Sequence, residues 1–324
     1  MFEIIIERTM IMDTMAFEKG FFPSANGRDR VTYYCYTPKN ARAVIQLSHG
    51  MCEYVRRYEQ HAAYFCSQGI AFCGNDHLGH GLTSPDADEL GYTDSPEYLI
   101  EDLHTMTGLI RRKLPGVPLI LLGHSMGSFI ARLYLTKYGK EIDGAIISGT
   151  AGPGNPTAIA KLLTKISIAA HGDHYRDNFI KSLSTGSYEK HFRGESSSAW
   201  ITRDTDVQEK YLADSLCNFT FTLNGYYNLF DMLGKVSSKK WAATVRKDLP
   251  ILMISGTDDP VGGYGKGVRK VYERLCDAGV KDITLRLWDG ARHELLNESA
   301  VRDEVYGCIV NWIGEHFIYD AERT

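Results

Sequence analysis

The chain lacks most of the features that mark membrane, secreted or nucleic-acid-binding proteins. No apolar run in its 324 residues approaches the 18 that a membrane-spanning helix needs. It also has no lysine- or arginine-rich stripe, and its formal net charge is −4. We therefore do not expect nucleic acid as a partner. The start, residues 1–8, lacks a small-residue cleavage site, so we expect no signal peptide.

Cysteine is scarce and irregularly spaced. The seven cysteines are an odd number with no C-x-x-C pair, which argues against a disulfide framework and favours reduced thiols in a cytoplasmic protein. Two other motifs are incomplete. Residues 293–297 have Asn297 where a zinc-protease helix needs its second histidine, and the glycine-rich residues 262–267 match neither common phosphate-binding loop. We therefore expect neither a metal nor a cofactor.

What the chain does contain is a serine between a predicted buried strand and a predicted helix. Residues 118–122 are an apolar run, residues 123–127 are Gly-His-Ser-Met-Gly, and a helical pattern follows. The two glycines suit a turn so tight that side chains at their positions would collide. Ser125 is therefore a candidate nucleophile. The alternative is a turn serine that only caps the following helix.

A serine hydroxyl is a poor nucleophile until a base removes its proton, so a catalytic role requires an imidazole and a carboxylate. Asp258 and Asp259 follow the predicted strand 249–255, and His293 follows the predicted strand 282–288. The chain order Ser, Asp, His is that of the α/β-hydrolase triad. The sequence thus predicts Ser125 as nucleophile, His293 as base and one of the two aspartates as the acid.

Such a site also needs backbone N–H groups for the negative charge that develops on the substrate oxygen. The predicted strand 43–48 ends in His49-Gly50-Met51, a turn whose amides can point back toward the serine. We assign the two donors of this oxyanion hole to the backbone N–H groups of Met51 and Met126.

Five motifs in register together resemble the monoacylglycerol lipase and lysophospholipase-like branch of the α/β hydrolases, of the serine aminopeptidase S33 type. They span about residue 17 to about residue 317 and comprise residues 49–58, 75–81, 123–127, 259–262 and 290–294. The resemblance implies Asp259 rather than Asp258 as the triad acid. It also implies ester substrates such as monoacylglycerols or lysophospholipids.

The chain departs from that family pattern at Cys52 and Tyr54, where glycine and histidine are usual. Cys52 neighbours the predicted donor Met51, so an adduct on its thiol would displace the oxyanion loop. A thiol at such a position is more often a small buried side chain than a reactive group. The alternative hypothesis is that small thiol reagents inactivate the enzyme through Cys52, and that Cys52→Gly keeps esterase activity while removing that sensitivity.

The predicted elements indicate an α/β-hydrolase fold with a mostly parallel eight-stranded sheet and helices on both faces. An Asn26-Gly27 turn predicts that the first two strands form an antiparallel hairpin at one edge. The alternation of strand and helix stops between residue 149 and about residue 245. We predict a core of residues 1–149 and 246–324 and an inserted helical cap over residues 150–245. The strands are predicted near residues 17–22, 30–36, 43–48, 70–75, 117–122, 142–148, 249–255 and 282–288.

Within the cap, an apolar stripe is expected to face the core; the alternative is a lid edge that makes transient contact with a membrane surface. It comprises Ile159, Leu162, Leu163, Ile166 and Ala170. Aromatic side chains of the cap are expected to line an apolar pocket. They are Tyr211, Phe219, Phe221, Tyr226, Tyr227, Phe230 and Trp241.

The sequence therefore predicts a serine esterase that acts on a small-molecule ester, with lipid esters favoured. Two alternatives stay open. One is an aminopeptidase or amidase, which would use cap carboxylates to hold a substrate amine; the available ones are Glu189, Glu195, Asp204 and Asp206. The other is a ligand-binding sensor that retains the hydrolase fold.

Overall fold

The computed structural model describes residues 5–11, 15–84 and 86–318. Within these ranges the strands are β1 Ile5–Ile11, β2 Met15–Pro23, β3 Arg30–Pro38, β4 Ala43–Ser48, β5 Ile70–Asn75, β6 Leu119–His124, β7 Gly144–Ser148, β8 Ile251–Gly256 and β9 Ile283–Trp288. The α-helices are α1 Glu59–Ser67, α2 Pro96–Lys113, α3 Met126–Tyr138, α4 Thr157–His171, α5 Asn178–Ser184, α6 Tyr188–His191, α7 Thr205–Ala213, α8 Leu223–Val236, α9 Lys239–Thr244, α10 Lys266–Asp277 and α11 Arg302–Ile313.

The strands form one sheet in the order β1-β2-β3-β5-β4-β6-β7-β8-β9. Six strands are parallel to one another: β5, β4, β6, β7, β8 and β9. The pairs β1–β2, β2–β3 and β3–β5 are antiparallel. All eight predicted strands are present, and the predicted β2–β3 hairpin is confirmed, with Gly27 at a positive φ of 73°.

The hairpin does not lie at the sheet edge, because β1 pairs with the outer side of β2. Strand β1 was not among the eight predicted strands. The three consecutive isoleucines at residues 4–6 are followed by charged Glu7 and Arg8 rather than by an alternating pattern.

Five of the parallel strands, β4 to β8, are buried on both faces, which explains why they are nearly continuous apolar runs, whereas the edge strand β9 is only partly buried. Helices α2, α3 and α10 cover one face of the sheet, and α1 and α11 cover the other. The carboxyl ends of β4, β6, β8 and β9 lie along one edge, and their following loops carry the predicted site residues.

Between β7 and β8 the chain forms six helices, α4 to α9. The prediction for the apolar stripe on α4 is wrong in part. Ile159, Leu162 and Ile166 are 63%, 58% and 59% exposed, whereas α4 packs against α8 with the smaller Ala160 and Thr164 buried. Among the described residues, no helix combines the length and apolar character that crossing a bilayer requires.

Candidate active site

Ser125 occupies a strained turn between β6 and α3. Its φ is 53° and its ψ is −122°, its backbone N–H donates to the Ser148 carbonyl (3.0 Å), and its side chain makes no capping hydrogen bond to α3. A Cβ added to Gly123 would lie 2.6 Å from the Gly127 carbonyl oxygen, and one added to Gly127 would lie 1.9 Å from that of Ser48. The two glycines thus allow the tight turn, and the Ser125 side chain does not cap α3 although it stands at the start of the helix.

His293 and Asp259, predicted from separate loops, are in contact. His293 Nδ1 lies 3.0 Å from Asp259 Oδ1, and both side chains are buried. A carboxylate can only accept hydrogen bonds, so the imidazole proton lies on Nδ1. Nε2 is therefore free to accept a proton. That Nε2 is buried and has no hydrogen-bond partner among the described residues. Asp258, in contrast, is exposed.

The electrostatics of His293 follow from this pairing. Burial by itself would lower the pKa of the imidazole, but attraction to Asp259 and the hydrogen bond with it raise the pKa above its ordinary value. Asp259 is held in turn by the Val261 N–H (2.9 Å) and the Ser255 hydroxyl (3.3 Å), both of which donate to its carboxylate.

The predicted oxyanion donors, Met51 and Met126, follow the neighbouring parallel strands β4 and β6. Met126 is the first residue of α3, so its N–H has no partner within the helix. The N–H of Met51 has no acceptor within the part of the chain that the structure describes. Both residues border the same cavity as Ser125.

Buried polar groups hold the loop that carries Met51. His49 Nε2 accepts from the His77 N–H (2.9 Å), so its Nδ1 carries the proton and donates to the Gly50 carbonyl (2.9 Å). The Gly50 N–H donates to the Glu53 carboxylate. His77 is also hydrogen-bonded to the Ser48 hydroxyl (3.0 Å). These contacts give His77 a structural role in holding the loop.

An ion cluster that sequence reasoning missed joins this loop to the His293 loop. Arg57 donates to Glu53 (2.9 Å) and, through both terminal nitrogens, to Glu294 (3.0 and 3.1 Å). Tyr58 donates its hydroxyl to Glu53 (3.1 Å). The i, i+4 spacing of Glu53 and Arg57 was the one available sequence signal. Nothing local indicated that Glu294 would join them.

Cys52 fits the first of its two alternatives, a small buried side chain, rather than a reactive thiol. Its side chain is 3% exposed and donates its S–H to the Phe219 carbonyl (3.0 Å), and burial raises the pKa of the thiol. Reactivity needs the thiolate and access to solvent, and both are disfavoured here. Cys52 also has a positive φ of 57°, the conformation in which the family's usual glycine is unstrained.

A cavity of about 150 Å³ has Ser125 in its wall. Residues from the inserted segment form most of its wall, and the remainder comes from Met51, Ser125, Met126, Phe129 and Val261. Its lining includes no aspartate, glutamate, lysine, arginine or histidine. The cavity therefore suits an uncharged, largely apolar group.

The aromatic prediction for this cavity holds only for Phe230. Of the other six predicted aromatics none lines the cavity, and four of them are buried in the protein interior; those four are Tyr211, Phe221, Tyr226 and Trp241. The aromatic rings that line the cavity with Phe230 are Phe129, Tyr188 and Trp200. Sequence reasoning had no periodic signal with which to select Tyr188 or Trp200.

The carboxylates proposed for an amine site lie elsewhere. Glu195 pairs with Arg292 (2.8 Å), Asp204 caps α7 through the Val207 N–H (3.2 Å), and Glu189 and Asp206 are exposed. Within the described ranges, no three His, Cys, Asp or Glu side chains are grouped so as to hold a metal ion.

Comparison with known proteins places the chain in a family. The family model described as "Serine aminopeptidase, S33" matches residues 39–300. The chain is 27% identical over 300 residues to the monoacylglycerol lipase of Mycolicibacterium smegmatis, which covers 90% of this chain and 95% of that protein. It is 24% identical over 297 residues to the monoglyceride lipase of Homo sapiens, with 90% and 89% covered.

The chain is also similar to a solved structure in both sequence and fold. A highly thermostable carboxyl esterase from Bacillus coagulans, in complex with glycerol, superposes with a TM-score of 0.87 at 31% identity, over 94% of this chain and 100% of that chain. The family resemblance and the fold predicted from the sequence are thereby confirmed. This chain belongs to the serine aminopeptidase S33 family and has the α/β-hydrolase fold.

Proposed function

We propose that the protein hydrolyses carboxylic esters with an uncharged acyl group, monoacylglycerol-like lipids above all. Two observations carry the proposal: Ser125 stands on its strained turn at the wall of an apolar cavity, and the buried His293–Asp259 pair leaves His293 Nε2 free to accept a proton. The names of the relatives, monoacylglycerol lipase and carboxyl esterase, support the same reaction class.

The reaction proceeds through an acyl-enzyme. His293 Nε2 takes the proton of the Ser125 hydroxyl as Oγ attacks the substrate carbonyl carbon, and the N–H groups of Met51 and Met126 bind the oxyanion. His293 then gives the proton to the departing alcohol. A water molecule, deprotonated by His293, releases the acid and restores Ser125. Asp259 keeps the imidazole oriented and offsets its positive charge while it is protonated.

The composition of the cavity wall favours one substrate class over the alternatives. An aminopeptidase would need a carboxylate for the substrate amine, and the cavity lining has none. A lysophospholipid would bring a phosphate, and the lining has no cation to bind it. A monoacylglycerol carries neither an amine nor a phosphate.

The cysteines bear on where the protein is located. All seven are unpaired thiols, which supports the cytoplasmic location that we also propose.

We further propose that residues 150–245 act as a cap on a core formed by residues 1–149 and 246–324, and that α4 contacts a lipid surface. Ile159 and Leu183 are both exposed and both border the cavity, so the exposed apolar face continues into its mouth. Such a face is typical of helices that lie in a membrane interface.

The experiment compares p-nitrophenyl butyrate and octanoate, 1-monooctanoylglycerol, a lysophosphatidylcholine and aminoacyl anilides as substrates. We expect turnover of the esters and of the monoacylglycerol, with little cleavage of the other two classes. Ser125→Ala should lower kcat by about 10⁴-fold or more. Ser182→Ala, an exposed serine on α5, is the matched control and should retain activity. Anilide cleavage would favour the peptidase, and binding without any turnover would favour the sensor.

A further inference from the structure

One stretch of the inserted segment, residues 195–203, is fastened directly to the loop that carries His293. We call it the arm. Arg292 donates to Glu195 (2.8 Å) and to the Ala199 carbonyl (2.7 Å), and the Glu294 N–H donates to the Ile201 carbonyl (2.7 Å). The residues on both sides of His293 in the chain are thus bonded to the arm.

A buried carboxylate completes this attachment. Glu298 is 1% exposed and accepts from the N–H of Arg203 (3.0 Å), from Arg203 Nε (2.9 Å) and from the N–H of Arg292 (3.0 Å). Thr202 adds a hydrogen bond from its hydroxyl to the Asn297 carbonyl (2.9 Å). Because these bonds lie at both ends of the arm, the position of the arm and the position of His293 are linked.

At the centre of the arm, Trp200 lies between the cavity and the imidazole. Its ring centroid is 5.2 Å from that of His293, with the planes at 37°, and it is 5.2 Å from the ring of Tyr188. Trp200 and Tyr188 both line the cavity. One indole therefore contacts the imidazole and borders the space proposed for the acyl group.

We propose that Trp200 is a positioning residue for ester hydrolysis, which holds the His293 ring in place and stabilises it while it carries the proton taken from Ser125. The inference rests on the proposed function. An aromatic ring within about 6 Å of a cation attracts it. The titratable and charged side chains around the imidazole are Asp259, Glu294, Glu53 and His124. Trp200 adds to them an uncharged aromatic group from the inserted segment.

The test is the kinetics of Trp200→Leu and Trp200→Phe with p-nitrophenyl butyrate and octanoate. Trp200→Leu should lower kcat by roughly 3- to 30-fold for both acyl lengths, the fold-change that corresponds to a cation–π contact. Trp200→Phe keeps an aromatic ring and should stay within about 3-fold of the parent. If the leucine variant does not fold, as judged by its melting temperature, Trp200→Met replaces it.

Phe230→Leu is the matched comparison, because Phe230 lines the same cavity from α8 and its ring packs against Tyr226. It should raise KM for octanoate more than it lowers kcat. Two results would overturn the inference. One is a Trp200→Leu variant in which, as in Phe230→Leu, mainly KM for octanoate changes. The other is a Trp200→Phe variant that loses as much kcat as Trp200→Leu. Failure of the parent enzyme to cleave either ester would instead contradict the proposed function.

Discussion

Two adjacent aspartates follow β8, and only one is placed to act on the imidazole. Asp259 is buried against His293 Nδ1, whereas the Asp258 side chain is exposed and its backbone N–H donates to the Ala291 carbonyl. We predict that Asp259→Asn lowers kcat by about 10⁴-fold, because the amide no longer fixes the tautomer. Asp258→Asn is the matched control and should stay close to the parent. The measurement is kcat for ester hydrolysis by the two purified variants. A larger loss in Asp258→Asn than in Asp259→Asn would place the triad acid at Asp258.

The pH dependence of kcat/KM follows from the raised pKa of His293. The base must be neutral, so activity is lost as the pH falls through the His293 pKa, which lies above the ordinary value of about 6.5. Asp259→Asn removes the attraction that raises this pKa, so the acidic limb of its weaker activity should move to lower pH. Rates measured between about pH 5 and pH 9 test this. A limb that stays in place in the variant would show that Asp259 does not set the pKa.

At the scale of residues, what could be predicted from the sequence depends on whether the signal is local. Ser125 was found from its flanking glycines, and His293 and Asp259 from their places after buried strands. Trp200 was missed because its relation to His293 depends on contacts between segments far apart in the chain. No spacing or periodicity within residues 195–203 encodes those contacts.

At the scale of elements, the loop after β4 explains a departure from the family pattern. Cys52 has a left-handed backbone and a buried thiol bonded to Phe219. Glycine adopts this backbone without strain, which should offset the loss of the thiol contact. We predict that Cys52→Gly keeps esterase activity and that iodoacetamide inactivates it no more slowly than the parent. The measurement is residual ester hydrolysis over time. Selective protection of the variant would show that Cys52 reacts after all.

Helix α4 shows the limit of an amphipathic pattern. The stripe of large apolar residues was predicted to face the core, but a stripe does not identify the neighbour that covers it. Helix α4 instead packs against α8 through small residues such as Ala160, which permit close approach, and leaves Leu162 and Ile166 exposed. The presence of α4 could be predicted from the sequence, whereas its orientation depended on α8.

The exposed apolar face of α4 leads to a prediction about membrane binding. If α4 contacts lipid, the double variant Leu162→Ser, Ile166→Ser should bind phosphatidylcholine vesicles at least about tenfold more weakly, since each side chain contributes about 1.5–3 kcal/mol when buried. Leu212→Ser, an exposed leucine on α7, is the matched control. Co-sedimentation with vesicles measures the binding. Equal binding by the double variant and the parent would exclude α4 as the contact.

At the scale of the whole molecule, the sheet and the inserted segment have separate tasks. The parallel strands bring the loops of Met51, Ser125, Asp259 and His293 to one edge, and the order of motifs along the chain was enough to predict this. The inserted segment supplies most of the cavity wall. Its helices were predicted as a group, but which of its side chains face the cavity depended on packing among α4, α5 and α8.

The most direct test of the central claim is active-site labelling with a fluorophosphonate, located by mass spectrometry and followed alongside hydrolysis of p-nitrophenyl octanoate. We predict one label per chain, on Ser125, with activity lost in proportion to labelling, and no label on Ser125→Ala. Full activity in the fully labelled protein, or a label on another residue with the same loss of activity, would contradict the assignment of Ser125 as the nucleophile.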